Sequence, residues 1–349
     1  MNNNSNNIIL LKRDEYDPFI DFLKGICIVL VILTHCIPYT IKRDLFFYLW
    51  GKPAVPIFLI IQVFHAYKKG VNHVKRANYE KLWQRIIKPF IIAQVFLFFS
   101  IICMKIATGN LDNISHLIKS TLKYGGNGSG SYYPWIYIQF AVILPFFACF
   151  FQKMKGFVLA VVFIIISIFL EMICNIVSMP IFMYRLLFFR YTMLIYLGYL
   201  LATKGYSLNL KTFLLSILSV FSVLIFEYTN YTFSLFIYSA PSWNSCHWIC
   251  YFYIAFFLFF IFYYLYQRIG RHIKICGYVK KMGIYSYEIF LFQMIYFDFH
   301  KYVVKFFLWL IGNSIITYMF TIIISVVICV VPVVTYKDYQ AYKQQQRSW

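Results

Sequence analysis

Charge is scarce in this chain. Asp, Glu, Lys and Arg make up 13% of its 349 residues, while 62% are hydrophobic. A soluble domain of this length carries about twice that charge on its surface. Acidic residues are the scarcer sign, with 12 against 32 Lys and Arg. The excess cations sit in short loops between apolar runs, which excludes a nucleic-acid patch and fits an anionic lipid surface. Metal-site and disulfide patterns are missing as well. Cys246 and Cys250 bracket His247, but no second ligand pair follows, so the nine cysteines read as small apolar residues. No internal repeat is present. No small-residue cleavage site follows the first apolar run, which is expected to remain as a span.

What is present is a succession of apolar runs, each about the 20 residues of helix that a bilayer requires. Ten spans are expected, at 19–40, 45–66, 86–107, 133–151, 156–177, 181–203, 208–228, 244–267, 284–304 and 313–336. Runs such as Val161–Leu170 and Ile322–Val331, set in longer apolar stretches, argue against buried helices of a large soluble protein. The second span is the least regular, interrupted by Gly51, Lys52, Pro53 and Pro56. With the N-terminus inside, 22 of the 32 Lys and Arg fall on the inner side. The expected architecture is therefore an all-α, polytopic integral membrane protein with about ten transmembrane helices and both termini cytoplasmic. Residues 1–17 form one tail, 18–336 a single membrane domain and 337–349 a second tail. Two loops stand out. Tyr67–Lys88 is inside and strongly basic, and Thr108–Tyr132 is outside and contains the flexible stretch Gly125–Gly130.

Ionisable groups inside apolar spans are costly and usually face an interior site. The clearest is His35, in the first span. Lys24 precedes it by eleven residues, about three helical turns, so the two share one face roughly 16 Å apart. Asp21, three residues before Lys24, lies near the same stripe. Taken alone, Lys24 reads as an interfacial anchor and His35 as an interhelical hydrogen-bonding residue. Together they set a cation at the cytoplasmic end and a proton-transfer group deep in the membrane. Toward the outer side lie Arg185 and Arg190, five residues apart and suited to oxygen-rich ligands, with Glu171, Glu227, Asp298 and His300. Lys81, Arg85 and Lys88 enter the third span from inside. The positive-inside rule is the simpler explanation of them; the functional alternative is a cationic mouth for a phosphorylated donor.

These residues resemble the acyltransferase-3 family of integral membrane acyltransferases. The likeness begins with Asp21-Phe22-Leu23-Lys24-Gly25-Ile26 and His35, with Lys24 where the family commonly has arginine. Lys81–Pro89, Tyr132-Tyr133-Pro134-Trp135, Arg190-Tyr191 through Leu197-Gly198-Tyr199, and Ser286–Gln293 follow in the family's order. Gln293 stands where histidine is frequent. The second span has the expected Pro56-Ile57-Phe58-Leu59, then Gln62-Val63-Phe64 where Ser-Gly is common. The likeness covers about residues 17–336.

The resemblance implies O-acylation of a cell-envelope or exported polysaccharide, with acetyl-CoA as cytoplasmic co-substrate and no tightly bound cofactor or metal. Catalysis is expected of His35, with Lys24 and Asp21 on its helix. Lys81, Arg85 and Lys88 are expected at the donor phosphates. Trp135, Arg185 and Arg190 are expected to hold the acceptor glycan or the oxyanion. The expected place is the inner (plasma) membrane, in contact with lipid and without nucleic acid. One rival is a transporter or flippase for a lipid-linked glycan, which leaves the Lys24–His35 stripe unexplained. Another is a structural subunit of a polysaccharide-export complex.

Overall fold

The computed structural model describes residues 16–71, 79–107, 119, 121, 125–154, 156–228, 245–270 and 274–347, and no strand occurs among them. Several expectations fall outside the described residues: the tail at 1–15, the cations Lys75, Arg76, Lys155 and Arg271, and the outer loop at 108–118. So do the side chains of Glu227, Cys246, His247 and Cys250.

Helix α1 (Pro18–Cys36) begins where the sequence provides a stop on its outer side. Asp17 caps it, accepting from the Phe19 N–H at 3.0 Å, and Pro18 supplies the preset first turn. It ends at Ile37-Pro38, where the chain becomes extended. The second expected span is broken as its glycine and prolines foretell. Short helices α2 (Tyr39–Asp44) and α3 (Phe47–Trp50) precede Gly51–Pro53, and α4 (Ala54–Tyr67) follows with Pro56 in its first turn.

Helix α5 (Tyr79–Leu82) widens into a π-turn, Trp83–Ile87, before α6 (Lys88–Ala107). Pro89 explains the widening. It has no N–H for the carbonyl of Arg85, and its ring crowds that carbonyl. Helices α7 (Tyr132–Lys153) and α8 (Gly156–Ile176) follow at the expected length and meet where Phe151 stacks on Phe163 at 5.4 Å. The expected span at 181–203 is instead three pieces: α9 (Ile181–Leu186), a 3₁₀ turn at Phe188–Tyr191, and α10 (Thr192–Lys204). Leu187 is extended at the break, and a side chain of α7 takes up the freed backbone groups.

Helices α11 (Leu210–Tyr228), α12 (Ser245–Leu265), α13 (Lys274–Ile284), α14 (Ser286–Ile311) and α15 (Ser314–Arg347) complete the chain. Among the described residues six helical segments are long and apolar enough to cross a membrane: Pro18–Cys36, Phe47–Tyr67, Tyr79–Ile106, Tyr132–Lys153, Gly156–Ile176 and Ile315–Gln346. Leu210–Ile225 and Phe252–Arg268 are apolar but shorter. Helix α14 is long but carries Glu288, Asp298, Lys301 and Lys305 and is not among the six. Helix α15 runs about 51 Å at 1.5 Å per residue, well beyond a hydrocarbon core of about 30 Å. Its helical path continues past residue 336 through most of the expected tail.

Helix α1 is the centre of the bundle. In its apolar stretch 61% of residues are buried, against 17% for the segment containing α6, so α1 faces protein and α6 faces lipid. It packs on α4, α13, α14 and α15. The tightest approach is to α13. A Cβ added at Gly25 would collide with the Val279 carbonyl oxygen, and one added at Gly283 with the Asp21 carbonyl. Two glycines thus let the short helix lie directly on the start of α1.

Candidate functional site

The two ends of α1 carry different chemistry. At its N-terminal end Lys24 Nζ lies 2.6 Å from Asp21 Oδ1, with both side chains largely covered by protein. The same end holds the last turn of α13 and the first turn of α14, since Gly283 abuts Asp21 and Tyr287 donates its hydroxyl to the Ile86 carbonyl at 2.8 Å. That bond brings the Lys81–Lys88 segment to this end. Lys81, Arg85 and Lys88 are all exposed there. Lys281–Asp338 at 2.6 Å and Lys337–Glu288 at 2.8 Å tie α13 and α14 to the extension of α15. The Asp338 carboxylate holds the Lys281 ammonium above its usual pKa.

At the other end His35 is half-buried and opens on a cavity of about 660 Å³. Arg185 of α9, Tyr132 at the start of α7, and Gly126, Gly128 and Gly130 share that cavity with it. The Arg185 guanidinium lies over the Tyr132 ring, 4.2 Å from its centroid, a contact worth about 0.5–2 kcal/mol. Phe297 of α14 packs against the imidazole at 5.2 Å. Lys42 donates its ammonium to the Thr34 carbonyl, beside His35, and burial pushes its pKa below the ordinary value. At this cavity an imidazole can move a proton, while a guanidinium can stabilise an oxyanion.

The glycine stretch is a built wall of this cavity, and the structure corrects its reading as flexible. Gly125, Gly126, Gly128 and Gly130 all have positive φ, which L side chains rarely adopt. Added Cβ atoms would meet Trp135, Gln94, the Met294 carbonyl and Phe290 in turn. Gln94, midway along α6, holds the loop with both halves of its amide. Its Nε2 donates to the Asn127 carbonyl at 3.0 Å, and its Oε1 accepts from the Asn127 N–H at 2.6 Å. Trp135 Nε1 donates to the Gly125 carbonyl at 2.5 Å, and Ser131 Oγ to the Gly126 carbonyl at 3.2 Å. Gln139 of α7 repeats the device on the next segment. Its Nε2 donates to the Leu186 carbonyl at 2.6 Å, and its Oε1 accepts from the Phe188 N–H at 3.0 Å. This fixes the break after Arg185.

The expected site residues therefore divide. His35 and Arg185 meet in one cavity. Trp135 holds the cavity's wall without lining it. Arg190 does not line it either; it is buried in the 3₁₀ turn behind, with its guanidinium 5.4 Å from the Tyr191 ring. Asp21 and Lys24, with Lys81, Arg85 and Lys88, belong to the opposite end. The sequence reading missed Gln94, Gln139 and Lys42. A glutamine inside an apolar span was the available signal, because an uncharged amide in hydrocarbon also needs a partner.

A family model described as an acyltransferase domain matches residues 17–334. Comparison with curated proteins finds no match, and comparison with solved structures finds none. The matched segment runs from the Asp17 cap of α1 into α15 and takes in both ends of α1 and the cavity. Over that extent, the chain belongs to the acyltransferase-3 family of membrane acyltransferases.

Proposed function

We propose that the protein is an O-acyltransferase of the inner membrane that moves an acetyl group from cytoplasmic acetyl-CoA to a hydroxyl of a cell-surface or exported polysaccharide. The observation that carries this reading is the placement of His35 and Arg185 on one cavity, at the opposite end of α1 from the Asp21–Lys24 pair. The rise of α1 between Lys24 and His35, roughly 16 Å, is on the order of the length of a pantetheine arm. In this reading the chain crosses the membrane ten times, with both termini cytoplasmic, and α9 through α10 acts as one broken span. Backbone breaks at membrane depth are tolerated where protein satisfies the freed groups, as Gln139 does here.

The donor's phosphates meet Lys24, Lys81, Arg85 and Lys88 at the cytoplasmic end. His35 takes the proton of the acceptor hydroxyl as its oxygen attacks the thioester carbonyl. Arg185 receives the charge that develops on the carbonyl oxygen. The carbon–sulfur bond then breaks, and the departing thiolate takes the proton from the imidazolium. A variant of the scheme has His35 carry the acetyl group between donor and acceptor. Trp135 supports the acceptor side through the Gly125 backbone it holds, and Arg190 adds positive charge behind it. The test supplies membranes containing the protein with acetyl-labelled acetyl-CoA and analyses the polysaccharide. Alkali-labile label on the glycan supports the reading; export of glycan without label identifies a transporter and overturns it.

A further inference from the structure

A second cavity, of about 300 Å³, lies away from His35 and is lined by α8, α10, α11 and α12. Its position along the bundle is fixed by Tyr206, in the link between α10 and α11. That hydroxyl donates to Asp17, the cap of α1, and its ring packs on Phe19 at 5.6 Å. The cavity is therefore at the Lys24 end of the molecule. Lys204, from the last turn of α10, and Lys211, from the first turn of α11, both line it, together with Thr203 and Asn209. No carboxylate lines it, and neither lysine forms an ion pair among the described residues. Tyr196 and Tyr253 are almost wholly buried in its walls. Beyond the cavity, α8 and α11 expose apolar residues outward, Phe157 and Val158 on one, Leu214 and Leu218 on the other.

Two cations, hydroxyl groups and an apolar exit match one kind of ligand. We infer that this cavity is a binding site for an anionic glycerophospholipid. Its phosphate lies between Lys204 and Lys211, its glycerol sits against the tyrosine wall, and its acyl chains lie on the exposed faces of α8 and α11. The chemistry is that of a basic pocket between membrane helices, where a headgroup gains both charge and enclosure. The lipid would join α10, which continues from the Arg185 segment, to α8 and α11, whose apolar outer residues are exposed. The inference does not depend on the acyl-transfer reading.

The test uses the full chain in detergent micelles doped with equal amounts of phosphatidylglycerol and phosphatidylcholine of identical chains, with lipid retention read by native mass spectrometry. The wild type is expected to retain one phosphatidylglycerol in preference to phosphatidylcholine. Lys204→Gln with Lys211→Gln lowers that preference at least tenfold. Lys204→Arg with Lys211→Arg keeps it, which shows that the double position tolerates change. Lys274→Gln with Lys343→Gln, two exposed lysines elsewhere on the same side, also keeps it. Equal retention by the Gln pair at the cavity, or equal loss from the remote pair, overturns the inference in favour of diffuse surface charge. Glycerol 3-phosphate and inorganic phosphate form a separate arm. Displacement of the lipid by either at millimolar concentration reassigns the site to a soluble phosphate and overturns the lipid; no displacement supports it.

Discussion

Gln94 holds Asn127 by donating to its carbonyl at 3.0 Å and accepting from its N–H at 2.6 Å. A side chain in the middle of a lipid-facing helix thereby fixes the glycine wall that His35 and Arg185 face. Gln94→Leu removes both bonds at similar volume and leaves the Asn127 backbone groups without this partner, about 1–3 kcal/mol for each buried group. Acetyl transfer is expected to fall roughly 10–100-fold, about 1.4–2.7 kcal/mol in the barrier, with the protein still inserted and helical. Gln94→Glu keeps the acceptor half and is expected to lie between the two. Initial-rate assays on purified protein, with circular dichroism as the folding control, read this out.

Arg185 is held over Tyr132 at 4.2 Å and shares the cavity of His35. Arg185→Gln removes the charge and the ring contact, and kcat/KM for the acceptor is expected to fall at least tenfold. Arg185→Lys keeps the charge but loses the planar fork, so a smaller loss is expected. Saturation curves in acceptor and donor separately check the assignment: the KM for acetyl-CoA is expected to stay within about twofold of wild type, since the donor site proposed above is at the opposite end of α1.

Gly25 faces the Val279 carbonyl so closely that a Cβ has no place to go. Because the obstacle is backbone, Gly25→Ala is expected to push α13 off α1 and to reduce the yield of folded protein. A loss of about 1–3 kcal/mol is typical of overpacking a close contact. Gly277→Ala, on α13 at a position where an added Cβ meets nothing within 4 Å, serves as a comparison with little expected effect on yield. Thermal unfolding in detergent measures both.

Much of the fold was readable because helix length and apolar runs follow from the bilayer alone. The break near Gly51–Pro53 and the Lys24–His35 stripe came from local rules. The fragmentation of 181–203 did not, since it depends on Gln139, more than forty residues away in sequence. The glycine stretch was misread for the same reason. Its composition signals freedom, but Gln94, Trp135 and Ser131 remove that freedom through tertiary contacts. At the candidate site, the charged residues were found by their cost in hydrocarbon, whereas the amides that position them were passed over.

Lys281 and Asp338 join α13 to the helical extension of α15 at 2.6 Å. The carboxylate raises the lysine pKa above its ordinary 10.5, so the pair's contribution is complete below 10.5 and is lost as pH rises through the folded value. Asp338→Asn is therefore expected to speed trypsin cleavage after Lys337 and Lys343 at pH 7 to 9. Wild-type cleavage, corrected for the protease's own pH profile, is expected to stay flat across that range. Time courses followed by mass spectrometry distinguish the two.

The central claim is that His35 performs the proton transfer of an acetyl transfer to glycan. Its most direct measurement is the rate at which purified His35→Ala moves labelled acetyl from acetyl-CoA to the polysaccharide, beside wild type at equal insertion. A general base in this position contributes roughly 10²–10⁴-fold, and an acyl carrier at least as much. The account predicts a loss of at least two orders of magnitude, with acetyl-CoA binding by isothermal titration unchanged. A folded, inserted His35→Ala protein that transfers label at the wild-type rate would contradict it.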